Sequence, residues 1–155
     1  MVKDINIIYQ DKEYMEIIEN LISDDLVQEM KKYKQHFKVN CFYHCLLVSY
    51  NSYVICKKHN LDYISVARAG ILHDLFLYDW RKKENGRKGL HGFTHPKSAV
   101  KNALKVTDLN EKEKDIILKH MWPLTIKFPK YKESYILSFV DKYFAVAEKN
   151  IEIKD

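Results

Sequence analysis

The sequence has few of the residues that interrupt helices, since its 155 residues include only 4 glycines and 3 prolines. Its apolar residues recur at intervals of three and four instead of alternating, which is the period of amphipathic helices. A chain of this length suits one compact domain with a single hydrophobic core. We therefore predict an all-α, single-domain helical bundle.

Cysteines and long hydrophobic runs are also scarce. Cys41, Cys45 and Cys56 form no CxxC motif, and a disulfide between the first two is geometrically poor because both would share a helix face. No window approaches the roughly 18 apolar residues of a membrane span, and no apolar run typical of a secretory signal follows the first basic residue. We expect reduced thiols in the core, a cytoplasmic location and no membrane partner.

The charge balance is only mildly basic. Lysine and arginine total 26 against 21 acidic residues, which gives a net charge of +5. This excess suits an acidic small molecule as well as nucleic acid. Because the positive charge is scattered and no base-reading motif is recognised, nucleic acid is the less favoured partner.

We predict an N-terminal helical extension (1–36) that packs on the core, followed by a main domain (37–150). Predicted helices cover about 12–35, 39–58, 63–77, 95–106, 110–122 and 132–149. The first is one long helix or two short ones, because Ser23-Asp24 is a possible break or N-cap. Pro96 suits a first helical position and would make His95 the cap, and Asn110 to Glu113 resembles a capping box.

The segment 78–94, YDWRKKENGRKGLHGFT, is basic and contains three glycines. Its length favours either a lid over a substrate or a solvated charged connection. Trp80 and Phe93 in this segment, and Trp122 beyond it, are aromatic rings that could stack on a nucleobase, although packing is their commoner role.

The stretch AGILHDLFLYDW places His73 and Asp74 side by side among large apolar residues. An unpaired buried carboxylate or imidazolium costs several kcal/mol, so such groups are normally paired or bound to metal. Helical spacing also places His44, His120 and Asp141 on faces shared with large apolar residues. One inward histidine is more often a hydrogen-bonded core residue than a ligand, so the interpretation depends on the whole set.

This set of inward ionisable residues comes from separate predicted helices. Imidazole nitrogens and carboxylate oxygens are good ligands for divalent transition metals, and a bundle can bring them to one centre. The predicted metal ligands are His44, His73, Asp74, His95, His120 and Asp141. His91 competes with His95 for one position, and we prefer His95 because a helix cap would fix its direction.

The ordered H...HD...H...H...D series resembles that of the HD-domain metalloproteins, which are mostly phosphohydrolases, over about residues 37–147. The resemblance implies an HD-type helical bundle. It also implies that His44, His73, Asp74 and Asp141 bind a first metal ion. By the same resemblance, His95 and His120 bind a second ion, and Asp74 bridges the two.

The activity implied by this resemblance is hydrolysis of a small phosphate ester, preferably a nucleotide, by a metal-activated hydroxide, with Asp74 as the central catalytic residue. One or two divalent ions (Fe, Mn, Ni, Co or Zn) would be the cofactors. One subgroup of the family has a phosphate-binding lysine where this chain has Leu77. The expected substrate cations are therefore Arg68, Arg81 and Lys142, and Asp79 is a candidate acid or base.

Two other functions stay open. A few HD-domain proteins with the same six ligands bind two irons in a mixed-valent state and act as oxygenases on small substrates, so the ligands alone do not separate hydrolase from oxygenase. A non-catalytic nucleotide-binding module is the third interpretation, and the intact ligand set argues against it.

Overall fold

The structure is a computed structural model that describes residues 1–82 and 89–150, and it confirms an all-α single-domain fold. Within these residues the α-helices are α1 (Ile5–Gln10), α2 (Lys12–Ile22), α3 (Asp25–Glu29), α4 (Cys41–Lys58), α5 (Tyr63–Leu72), α6 (His91–Val106), α7 (Glu111–Lys119) and α8 (Lys132–Ala147). Short 3₁₀ helices cover Met30–Lys32 and Glu148–Asn150. A small antiparallel hairpin joins β1 (Lys34–His36) to β2 (Val39–Asn40).

Helix α4 is the centre of the bundle. It packs against α5 and α8, and it is buried on several faces, through residues such as Phe42, Leu46, Leu47 and Tyr53. A helix that is apolar nearly all round belongs in the interior of a domain. The helices that pack on α4 can therefore place their side chains next to those of α4.

Helices α4 and α5 approach each other unusually closely at Gly70. A Cβ atom at this position would lie 2.6 Å from Cα of Ser49. The Ser49 hydroxyl lies in the same contact, donates to the Ala67 carbonyl at 2.6 Å and accepts from the Tyr14 hydroxyl at 2.7 Å. This contact holds α5 against α4 three residues before His73, the C-cap of α5.

We expect Gly70→Ala to lower the free energy of unfolding by about 1–3 kcal/mol, because the new methyl group overlaps backbone atoms of α4 and cannot be accommodated by a side-chain rotation. Urea denaturation followed by circular dichroism measures this loss. Ile64→Ala, at a half-exposed position on the same helix, is the control and should change stability by less than about 0.5 kcal/mol. An unchanged urea midpoint for Gly70→Ala would contradict the close contact.

The helix predicted over 63–77 is shorter than expected, because α5 ends at Leu72 and His73 is its C-cap. The Leu75 N–H bonds to the Leu72 carbonyl and the Phe76 N–H to the Asp74 carbonyl, so tight turns replace the helical pattern. Leu77 then adopts a left-handed conformation with φ 54°. Residues in this turn stay buried like helix residues, and a continuous apolar run does not reveal where the helix stops.

The prediction that His95 caps a helix is wrong, because α6 begins at His91 and includes His95 and Pro96. The Leu90 carbonyl accepts from the N–H groups of Phe93 and Thr94 and starts the helix. Proline lacks one N–H, and near the start of a helix this removes only a single hydrogen bond.

Other helix ends were predicted with mixed success. Asp24 caps α3 and confirms the break at Ser23-Asp24, and the capping box of Asn110 with Glu113 is also confirmed. The predicted helices over 12–35, 39–58, 110–122 and 132–149 are longer than the observed ones, and α1 was not predicted. The β-hairpin crosses the predicted boundary at residue 36, and the division into 1–36 and 37–150 stays a prediction.

Three further sequence expectations concern the cysteines, the membrane and the basic loop. Cys41, Cys45 and Cys56 are buried and unbonded, as predicted. In the parts of the chain that the structure describes, no helix has the length and apolar character needed to cross a membrane. Within the predicted lid (78–94), residues 83–88 lie outside the described residues.

Asp115 joins α7 to the start of α8. Its carboxylate forms an ion pair with Lys119 and accepts hydrogen bonds from the Ser134 hydroxyl at 2.7 Å and the Lys130 N–H at 2.9 Å. Burial alone would raise the pKa of Asp115, but these donors outweigh it and lower the pKa below its ordinary value.

We expect Asp115→Asn to cost about 1–3 kcal/mol of stability near neutral pH, since buried donors lose a charged acceptor. A carboxyl group with a depressed folded-state pKa stabilises the protein above its unfolded pKa of about 3.9 and loses this effect as the pH falls further. The stability difference from wild type should therefore shrink below about pH 4. Urea denaturation at several pH values measures it, with the exposed Asp108→Asn as control; a difference independent of pH would contradict the assignment.

Candidate metal centre

The structure brings the six predicted metal ligands together in the interior. His44 comes from α4, His95 from α6 and Asp141 from α8, and the remaining ligands follow the ends of α5 and α7. All six are at most 7% exposed: His44, His73, Asp74, His95, His120 and Asp141.

The Nδ1 atoms of three histidines contact backbone carbonyl oxygens. His73 lies 2.7 Å from the Gly70 oxygen, His95 2.7 Å from the His91 oxygen and His120 2.7 Å from the Ile117 oxygen. A carbonyl oxygen only accepts, so each Nδ1 carries the proton that it donates. In the neutral ring, Nε2 then carries a lone pair that points away from that carbonyl.

A first ligand group consists of His44, His73, Asp74 and Asp141, with the Nε2 atoms of the two histidines facing the two carboxylates. His44 Nε2 lies 3.0 Å from Asp141 Oδ1 and 3.6 Å from Asp74 Oδ2. His73 Nε2 lies 3.4 Å from Asp74 Oδ2 and 3.7 Å from Asp141 Oδ1. Ligand atoms of all four residues lie within 4.8 Å of one another.

A second ligand group consists of Asp74, His95 and His120. Asp74 Oδ1 lies 3.1 Å from His95 Nε2 and 3.3 Å from His120 Nε2, and the two Nε2 atoms are 2.8 Å apart. Asp74 thus directs one oxygen to each group. Gln35 donates from Nε2 to Asp74 Oδ2 at 2.6 Å and helps to fix the orientation of this carboxylate.

The donor set fits a cation better than it fits hydrogen bonding among its own members. Among the described residues, His73 Nε2 and Asp74 Oδ1 are buried without a hydrogen-bond partner, although other ligand atoms surround them. Facing lone pairs repel each other unless a proton or a metal ion lies between them. These buried His and Asp groups could therefore bind a metal ion.

The electrostatics of the first group point in the same direction. Burial alone would lower the pKa of His44, but the carboxylates of Glu148 and Asp141 raise it well above its ordinary value. Despite burial, the pKa of His73 is also raised, mainly by Asp74. Burial would raise the pKa of Asp74 and Asp141, but the histidines hold both well below the ordinary value. The carboxylates stay ionised, and either protonated histidines or a bound cation can balance their charge.

His91, the alternative to His95 in the predicted set of metal ligands, lies beside the ligands. Its ring stacks on His95, with centroids 4.3 Å apart, and on Trp80, with centroids 5.4 Å apart. The Tyr78 hydroxyl lies 2.9 Å from His91 Nδ1. His95, and not His91, is the residue whose ring nitrogen contacts Asp74.

A pocket of about 180 Å³ opens beside the ligands. Aromatic side chains form part of its wall, and the small β-hairpin contributes another part. Its lining consists of Gln35, His36, Asp74, Trp80, His91, His95, His120, Met121, Asp141, Lys142 and Ala145. This volume is below the range of about 300–1,000 Å³ that is usual for drug-sized ligands.

Of the three predicted substrate cations, only Lys142 lines this pocket. Arg68 donates instead to Glu113 at 2.7 Å and to Thr107 at 3.1 Å, and Arg81 is half-exposed and pairs with Asp79. The Lys142 ammonium contacts the His120 carbonyl at 3.0 Å and Ser138 Oγ and O at 2.8 and 3.3 Å. These contacts use its three donors, so Lys142 holds the turn that carries His120.

Sequence reasoning missed three residues around the centre: Gln35, His36 and Glu148. Glu148 had a detectable signal, because it follows Asp141 by seven residues, which places both on one helix face. Gln35 and His36 come from the β-hairpin, and Gln35 meets Asp74 across 39 residues of sequence. No local pattern predicts that contact.

No protein-family model matches this chain, and no curated protein or solved structure matches it. The fold and the site by themselves define an all-α protein with a buried His/Asp cluster that could bind a metal ion. The HD-domain resemblance therefore depends on six ordered residues and on their convergence.

The two ligand groups predict separable metal losses. His73→Gln should weaken binding of the first ion by more than about 10- to 100-fold, which is the cost of losing a residue that only orients a ligand. His95→Gln should mainly weaken binding of the second ion. Metal analysis after equilibrium dialysis, with circular dichroism to check helicity, measures this. The exposed His59→Gln is the control, and full metal retention by His73→Gln would show that the site is misassigned.

Proposed function

We propose that the protein is an HD-type, metal-dependent phosphohydrolase that cleaves a small phosphate ester, with nucleotides as the preferred substrate class. The observation that carries the proposal is the sharing of Asp74 between two buried ligand groups, one oxygen to each. The same six residues, in the same order, are the ones that the family resemblance requires.

Two divalent ions bound by such groups would supply Lewis acidity toward a phosphoryl oxygen and lower the pKa of a coordinated water. The chain supplies the rest. Asp74 holds both groups in one geometry, Gln35 orients Asp74, and Lys142 fixes the carbonyl of His120.

The pocket supports a small substrate. Its volume of about 180 Å³ accommodates a phosphoryl group and part of its ester. The stacked rings of Trp80 and His91 form an aromatic wall where a nucleobase or other planar leaving group could pack. Nucleoside monophosphates are therefore the first substrates to test.

Asp74→Asn should lower phosphate release by at least about 100-fold, which is the usual cost of removing one group that stabilises the transition state. The assay compares wild type and variant on p-nitrophenyl phosphate, nucleoside mono-, di- and triphosphates and cyclic dinucleotides, each with Mn²⁺, Ni²⁺, Co²⁺, Zn²⁺ or anaerobic Fe²⁺. Asp115→Asn is the matched control, because it alters a buried carboxylate that does not line the pocket.

Two results would contradict this function. Metal-dependent hydrolysis that survives in Asp74→Asn would place the chemistry elsewhere. Absence of phosphate release from every substrate at full metal occupancy would exclude the hydrolase, and tight nucleotide binding in that case would favour a non-catalytic binding module.

A diiron oxygenase is the second candidate, and the scarcity of phosphate-binding cations favours it. Among the lining residues that the structure describes, Lys142 is the only lysine or arginine, and its donors are engaged. Leu77 lies where the hydrolase subgroup has lysine. Iron-loaded protein with a mixed-valent electron paramagnetic resonance signal and substrate-dependent oxygen consumption would establish this alternative.

A further inference from the structure

A buried carboxylate outside the two ligand groups, Glu148, lies directly behind His44, and ligand atoms of His36, His44 and Glu148 lie within 4.8 Å of one another. Glu148 is fully buried, and its Oε1 is 2.6 Å from His44 Nδ1. The other oxygen, Oε2, has no hydrogen-bond partner among the described residues. His44 is therefore the only hydrogen-bonding partner shown for this carboxylate in the described part of the chain, where His36 also approaches it.

His44 differs in this respect from the other histidines of the centre. The Nδ1 atoms of His73, His95 and His120 all contact backbone carbonyls. A carboxylate is a stronger acceptor than a carbonyl, and its charge increases the electron density on the opposite ring nitrogen. His44 is thus the histidine whose Nε2 is best prepared as a metal ligand.

The end of α8 delivers both acidic groups to this ring. Asp141 lies within α8, and Glu148 follows two turns later as the C-cap, with its N–H bonded to the Phe144 carbonyl. One carboxylate consequently faces Nε2 of His44 at 3.0 Å and the other faces Nδ1 at 2.6 Å. This arrangement fixes the plane of the imidazole from both sides.

We propose that Glu148 is a positioning residue that keeps the proton of His44 on Nδ1, directs Nε2 toward Asp141 and so raises the metal affinity of the first ligand group. The inference rests on the metal centre of the proposed function. It does not depend on which reaction the centre catalyses.

A zinc titration with a competing chelator tests the affinity, and it compares wild type with Glu148→Gln and Glu133→Gln. Glu148→Gln keeps the size of the side chain but loses its charge. This variant should bind Zn²⁺ at the first ligand group about 10- to 100-fold more weakly than wild type. Glu133 is the matched control, since it is a buried carboxylate of α8 that pairs with Lys112 and the Asp62 N–H. Its variant should lose stability and keep the wild-type zinc affinity.

Nitrogen-15 NMR of histidine-labelled, zinc-loaded wild type gives a readout that a purely structural role would not move. We expect His44 to show a protonated Nδ1 and a zinc-bound Nε2. In Glu148→Gln the Nδ1 proton should exchange faster with water, because the amide oxygen is a weaker acceptor than the carboxylate.

Glu148→Gln with wild-type zinc affinity would overturn the inference, even if its thermal stability fell. If this variant does not fold, the wild-type spectrum decides, because zinc on Nδ1 of His44 would overturn the inference as well. Wild type that binds no zinc would remove the metal centre together with this inference. Zinc binding as described without phosphate release would remove only the proposed hydrolase.

Discussion

Imidazole lone pairs that point at carboxylate oxygens repel them, and a buried site can keep such an arrangement only with a cation or a proton between the groups. His73 and Asp74 show this constraint most clearly, because His73 Nε2 and Asp74 Oδ1 are buried without a hydrogen-bond partner among the described residues. The rest of the fold has to hold these groups in place against their mutual repulsion.

The fold meets this demand at the ends of its helices. His73 caps α5 and His120 caps α7, and each ring contacts a carbonyl of its own helix three residues earlier. Terminal carbonyls of a helix lack intrahelical partners, so one hydrogen bond satisfies the carbonyl and fixes the ligand at once. Ser138 and Lys142 then hold the His120 carbonyl from α8.

The limits of prediction follow from the same geometry. Periodicity predicted the inward direction of His44 and Asp141, which lie within regular helices, and the capping box at Asn110 is local in sequence. The end of α5 and the start of α6 were misplaced, because tertiary contacts and turn hydrogen bonds decide them. Gln35 was missed, since its partner Asp74 is distant in sequence and only the folded hairpin brings them together.

The charges of the centre also bear on the scarcity of basic residues in the pocket. Asp74, Asp141 and Glu148 carry three negative charges when ionised, and a single divalent ion leaves this cluster negative. Two divalent ions reverse the sign, and the nearby Lys142 adds to the positive field. Counted together with Lys142, the cluster is neutral with one ion and positive with two, so the second ion favours an anionic substrate. Filling both ligand groups would therefore favour an anionic substrate without further lysines, and the division of Asp74 between the groups is what would allow it.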